Sequence, residues 1–109
     1  MADRKKTFRQ SITLRRRTIN KADRLLATAN AILAKVEVEQ ATAARWSQAG
    51  RAFERAAGVY RQASLGLLAR HSYEQGRHCF EAGGDANAAQ RCGNNAKVIP
   101  AYWGASPNE

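Results

Sequence analysis

The sequence predicts an all-α fold: a small antiparallel hairpin or bundle of three to four helices with a basic N-terminal arm. Three observations carry this expectation. Alanine supplies 22 of the 109 residues, and it is the strongest helix former because no side-chain entropy is lost when it enters a helix. The two prolines, Pro100 and Pro107, both lie near the C-terminus, so nothing upstream removes a backbone donor. From Lys21 onward, apolar residues recur at steps of three and four, the period of a helix face.

The first segment, residues 1–20, reads as a basic arm that is flexible alone or ordered by a partner. Phe8, Ile12 and Ile19 fit one face of a short amphipathic helix, but Phe8, Ser11, Ile12 and Leu14 follow no clean order. Thr18 or Asn20 is the expected cap of the helix beginning near Lys21. Residues 21–99 form the helical domain. Ala22, Leu25, Ala29, Ile32 and Val36 mark its first face, widened by Leu26 and Leu33. The stripe continues in phase through Ala43, Trp46, Gly50, Phe53, Ala57 and Tyr60, so residues 21–63 read either as one long helix or as two. A break between Glu37 and Thr42 is the expectation, because Val36 and Val38 weaken that stretch and Thr42 suits a cap.

The clearest order lies in residues 43–89. Ala49, Phe53, Ala56, Tyr60 and Ala63 step by four and three, as do Ala69, Tyr73, Gly76, Phe80 and Gly83; the two series superimpose at an offset of 20 residues. Small residues beside aromatic ones let two helix axes approach closely, so this pair reads as an antiparallel αα-hairpin joined around Ser64–Gly66. Gly83-Gly84-Asp85 then punctuates, with a glycine at the left-handed end of one helix and Asp85 capping the next. That last helix is expected from Ala86 to about Ala96, with Gly93-Asn94-Asn95 fraying its end. Residues 100–109 form an irregular tail, in which Tyr102 and Trp103 either dock on the body or anchor a peptide contact.

Trp46-x2-Ala49-Gly50-x2-Phe53 resembles the first-helix signature of the tetratricopeptide repeat, and Ala69-x3-Tyr73-x2-Gly76 is similar to its second-helix pattern. The second pattern falls about seven residues later than in the usual unit of about 34, and the closing proline is absent. The resemblance implies a helical scaffold that binds peptides or proteins, without catalysis.

Charge is unevenly placed. Formal net charge is +9. Residues 1–24 hold nine Lys/Arg against Asp3 and Asp23, a balance of +7; residues 25–109 hold nine against seven acids, a balance of +2. Such asymmetry points to a polyanionic partner. Arg4, Lys5, Lys6, Arg9, Arg15, Arg16, Arg17, Lys21 and Arg24 are the candidate nucleic-acid-binding residues, because each phosphate contact releases counterions. A solvated tail, an anionic membrane surface and an acidic protein are the competing readings, and Phe8, Ile12 and Ile19 offer a small apolar face for a membrane.

No apolar run approaches the ~20 residues of a membrane span, and no apolar segment succeeds the basic start as in a secretory signal. A cytoplasmic protein is the expectation, with Cys79 and Cys92 reduced. His71, Glu74 and His78 share a helix face beside Cys79, but the histidines lie two turns apart and no metal motif occurs. No nucleophile, paired-acid or phosphate-loop spacing is present. We therefore expect no metal, no cofactor, no small-molecule substrate and no catalysis. The expected function is a helical interaction module with its arm directed at DNA or RNA. Its partner-binding or self-association surface would use whichever of Trp46, Phe53, Tyr60, Tyr73 and Phe80 the core does not need. The alternatives are a dimeric DNA-binding regulator, with Arg51, Arg55 and Arg61 on its exposed face, or a structural subunit of a phage or ribonucleoprotein assembly.

Overall fold

The computed structural model describes residues 2–38 and 42–100, with side chains from Ile12 onward. Four helices make up the described chain: α1 (Ala2–Val38), α2 (Ala43–Gln62), α3 (Gly66–Ala82) and α4 (Ala86–Val98). Among the described residues there is no strand. Each helix packs chiefly on its neighbours in the chain, and successive helices run antiparallel. The tail containing Tyr102 and Trp103 lies outside the described residues.

α1 has 37 residues, which at 1.5 Å each gives about 55 Å. That length sets the long axis of a molecule measuring 59 × 24 × 21 Å. Neither Thr18 nor Asn20 caps a helix. The backbone is helical on both sides of them, and the Thr18 hydroxyl donates to the Leu14 carbonyl at 2.9 Å in the middle of α1. α1 meets the body through Ala22, Ala29 and Val36, seven residues apart and buried, with Leu25, Leu26, Ile32 and Leu33 half-buried beside them. Ile12 and Ile19 continue the seven-residue spacing of Leu26 and Leu33 upstream, but Ile12 stands 45% exposed.

Residues 21–63 form two helices. α2 begins after Thr42, whose hydroxyl accepts the Arg45 N–H at 3.4 Å while its carbonyl accepts from Arg45 and Trp46. Thr42 thereby satisfies amide donors that the first turn leaves without helical partners.

α2 and α3 form the hairpin that the 20-residue echo predicts. Ala49, Phe53, Ala56, Tyr60 and Ala63 are buried on one side; Ala69, Tyr73, Gly76 and Phe80 are buried on the other. Glycines set the approach. A Cβ on Gly50 would lie 2.9 Å from the Phe80 ring, and one on Gly76 would lie 3.3 Å from the Gly50 carbonyl.

The echo extends into the turns. After α2, Ser64 N–H donates to Arg61 O, Leu65 N–H to Tyr60 O, and Ser64 has φ +58°. After α3, Gly84 N–H donates to Glu81 O, Asp85 N–H to Phe80 O, and Gly84 has φ +75°. Every position is displaced by 20 residues. Both turns are thus one left-handed device that reverses the chain. They differ at the next helix start. Asp85 Oδ1 accepts the Ala88 N–H at 3.1 Å, whereas Leu65 has no side-chain cap.

α4 runs on to Val98, two residues past the expected end, so Gly93, Asn94 and Asn95 are helical and do not fray. Gly93 lies close against α3, where a Cβ would come within 3.2 Å of Arg77 Cδ. Buried Ala88, Ala89, Cys92 and Ala96 form the packing face, and Ile99 closes it at 2% exposure.

Candidate nucleic-acid interface

The described cations of the basic segment stand on α1 ahead of and beside its first contact with the body. Arg15, Arg16, Arg17, Lys21 and Arg24 are all exposed. Side chains of Arg4, Lys5, Lys6 and Arg9 lie outside the described residues. On a helix, Arg17, Lys21 and Arg24 fall at i, i+4 and i+7 and share one face. Arg15 and Arg16 occupy another, where with Ile12 and Ile19 they border a hollow of about 220 Å³.

Following the Arg17–Lys21–Arg24 face one turn further leads into a groove of about 290 Å³ between α1 and α2. Leu25, Ile32 and Ala52 supply its apolar lining, Thr28 and Gln48 its neutral polar groups, and Arg51 and Arg55 its charge. Among the described residues, no acid lines it. Glu54, three residues after Arg51 and next to Arg55, is engaged elsewhere. Its two carboxylate oxygens accept from Arg91 Nε at 2.7 Å and Arg91 Nη2 at 3.0 Å. That bidentate pair raises the Arg91 pKa, first through the hydrogen bond and then through the charge of Glu54. Arg91 also lies over the Phe80 ring, 5.9 Å from its centre. Arg51 and Arg55 are exposed. A groove with two guanidinium groups and no carboxylate is electropositive and suited to a polyanion.

A second groove contrasts with it. A groove of about 510 Å³ between α3 and α4 is lined by Glu74, Arg77, Glu81 and Lys97 among others. Three of its charges pair with one another: Arg77 Nε donates to Glu74 at 3.0 Å, and Arg77 Nη1 lies 3.6 Å from Glu81. Such a surface neither attracts nor repels a polyanion strongly.

The aromatic candidates for a partner surface belong to the interior. Phe53, Tyr60, Tyr73 and Phe80 are buried, because the close α2–α3 approach needs their rings to fill the space beside its small residues. Of the five, Trp46 keeps accessible surface, half-buried against the Ala29–Phe53–Cys79 cluster. His71 and His78 are exposed, and His78 Nδ1 lies 4.0 Å from Glu81. Among the described residues, no three His, Cys, Asp or Glu side chains converge as a metal site. Both cysteines are buried and free. Burial pushes the Cys79 thiol up to about 11, with the charge of Glu37 adding to it. Burial likewise pushes Cys92 up to about 12, helped by Glu54. Both are therefore poor nucleophiles near neutrality. No described helix is long and apolar enough to cross a membrane.

Arg51 and Arg55 are brought to the groove by the α1–α2 packing, which their sequence neighbourhood does not reveal. The signal is the spacing of Gln48, Arg51 and Arg55 at three and four, which gives α2 a polar stripe next to its apolar one. No family model, curated protein or solved structure matches the chain.

Proposed function

We infer that this protein is a non-enzymatic helical interaction module that binds nucleic acid through the basic first part of α1. The observation that supports this most is the balance of +7 in residues 1–24, together with the exposure of Arg16, Arg17, Lys21 and Arg24 along one helix. Cations fixed at helical spacing meet successive phosphates without first losing the conformational freedom of a disordered tail. The α2–α3–α4 body then serves as the scaffold that holds the helix, with self-association or a protein partner using surface such as that around Trp46.

The test is binding of a labelled single strand and a labelled duplex, monitored by fluorescence anisotropy in 50 and 200 mM salt. Four phosphate contacts, at about 0.7 each on the single strand and about 0.9 on the duplex, would weaken affinity by roughly 50-fold and 150-fold across that range. Salt-insensitive binding, or none at 50 mM salt, would overturn the inference.

A further inference from the structure

We propose that the groove between α1 and α2 is a binding site for single-stranded nucleic acid, with Arg51 and Arg55 as its principal contacts. This rests on the nucleic-acid reading of α1 and gives it a strand preference and a path. A basic track approaches the groove along one face of α1: Arg17, then Lys21, then Arg24. Thr28, the next residue on that face, lines the groove and donates its hydroxyl to the Arg24 carbonyl at 3.0 Å. The track is thereby joined to the groove by one turn of helix. Across the groove, Arg51 and Arg55 stand one turn apart on α2. All five cations are exposed, and among the described residues no acid intervenes on the groove lining.

The composition of the lining selects the form of nucleic acid. Leu25, Ile32 and Ala52 offer apolar contact to the face of a base, and Gln48 and Thr28 offer hydrogen bonds to its edge. A duplex keeps its base faces stacked and presents only its phosphates to such a surface. An unpaired base, by contrast, can enter it and stack on a guanidinium plane. Arginine serves this role better than lysine, because its planar group both stacks and forks onto phosphate. Two arginines here, with an apolar lining, favour an unpaired strand over a duplex and over an acidic peptide, which has no flat ring to place between them.

The experiment compares the full chain with the Arg51→Ala/Arg55→Ala and Arg51→Lys/Arg55→Lys variants. The probes are an oligothymidylate of about 12 nucleotides, within the footprint of known single-strand sites, and a duplex of the same length. Thermal melts confirm that the variants fold, as exposed positions should allow. The alanine variant should lose about tenfold or more on the single strand, with the salt slope reduced by about 1.4 for two lost contacts. It should lose less than about threefold on the duplex. The lysine variant should recover the slope but not the full affinity. Equal losses on both probes, or unchanged single-strand binding by the alanine variant, would overturn the groove while leaving the α1 inference standing. If the unaltered chain binds neither probe, the α1 inference fails and the groove with it.

Discussion

The Tyr60 hydroxyl donates a 2.6 Å hydrogen bond to Asp23 Oδ1, tying the end of α2 to α1 where the basic part of α1 leaves the body. Tyr60 is buried at 1% exposure, whereas Asp23 is exposed. Burial, then the hydrogen bond and charge of Asp23, raise the phenol's pKa well above its ordinary value. Replacing Tyr60 by Phe should cost about 1–2 kcal/mol, toward the low end for bonds to charged groups because Asp23 regains water. A chemical-denaturation midpoint at neutral pH measures it. The pH dependence is a matter of linkage. Tyr60, Cys79 and Cys92 all keep their protons in the folded state at pH values where the unfolded chain has lost them. Above about pH 9 the unfolded state therefore binds fewer protons, and stability falls as pH rises. Melts from pH 8 to 11 should show a steady decline, shallower above pH 10 for Tyr60→Phe. Parallel declines would remove Tyr60 from the effect.

The glycines of α2 should respond in opposite directions to the same substitution. A Cβ at Gly50 would press into the buried Phe80 ring at 2.9–3.0 Å, so Gly50→Ala should destabilise by about 1–3 kcal/mol. At Gly58 the nearest atom is the Tyr73 hydroxyl at 3.9 Å, so Gly58→Ala should stabilise by about 0.5–1 kcal/mol through helix propensity. Urea midpoints of the two variants check both signs, and the same sign for both would contradict the close α2–α3 approach.

Two serines are predicted to be suboptimal for stability. The Ser72 hydroxyl is fully buried with no hydrogen-bond partner. Ser72→Ala removes that desolvation cost and should stabilise by about 1 kcal/mol. Ser64 holds φ +58° where the matching turn uses Gly84. Ser64→Gly should therefore raise stability by about 0.5–1 kcal/mol. Differential scanning calorimetry would register each as a rise in Tm, and the two should add because they lie in different environments.

Much of this fold is legible in the sequence because the residues concerned act locally. Thr42 and Asp85 announce helix starts by their own side chains, and the 20-residue echo marks two helices that must meet along one face. The end of α4 is not legible. Gly93, Asn94 and Asn95 read as a terminus, yet α4 continues through them, with buried Ala96 and Ile99 holding its end in the core. The aromatic residues show the same limit from the other side. Periodicity places Phe53, Tyr60, Tyr73 and Phe80 on helix faces, but only the pairing of helices decides that those faces are covered. At the candidate site, the charge of residues 1–24 is visible by counting. The groove is not, since it exists only when antiparallel packing sets Thr28 and Leu25 of α1 beside Arg51 and Arg55 of α2.

The most direct test of nucleic-acid binding by α1 is the slope of log affinity against log salt, measured on one duplex for the full chain and for the Arg16→Gln/Arg17→Gln/Lys21→Gln/Arg24→Gln variant. These four exposed residues can be neutralised without disturbing the body. Loss of four phosphate contacts at about 0.9 each should make the variant's slope shallower by about 3 to 4. Unchanged slopes for the two proteins, with both still binding, would contradict the role assigned to α1.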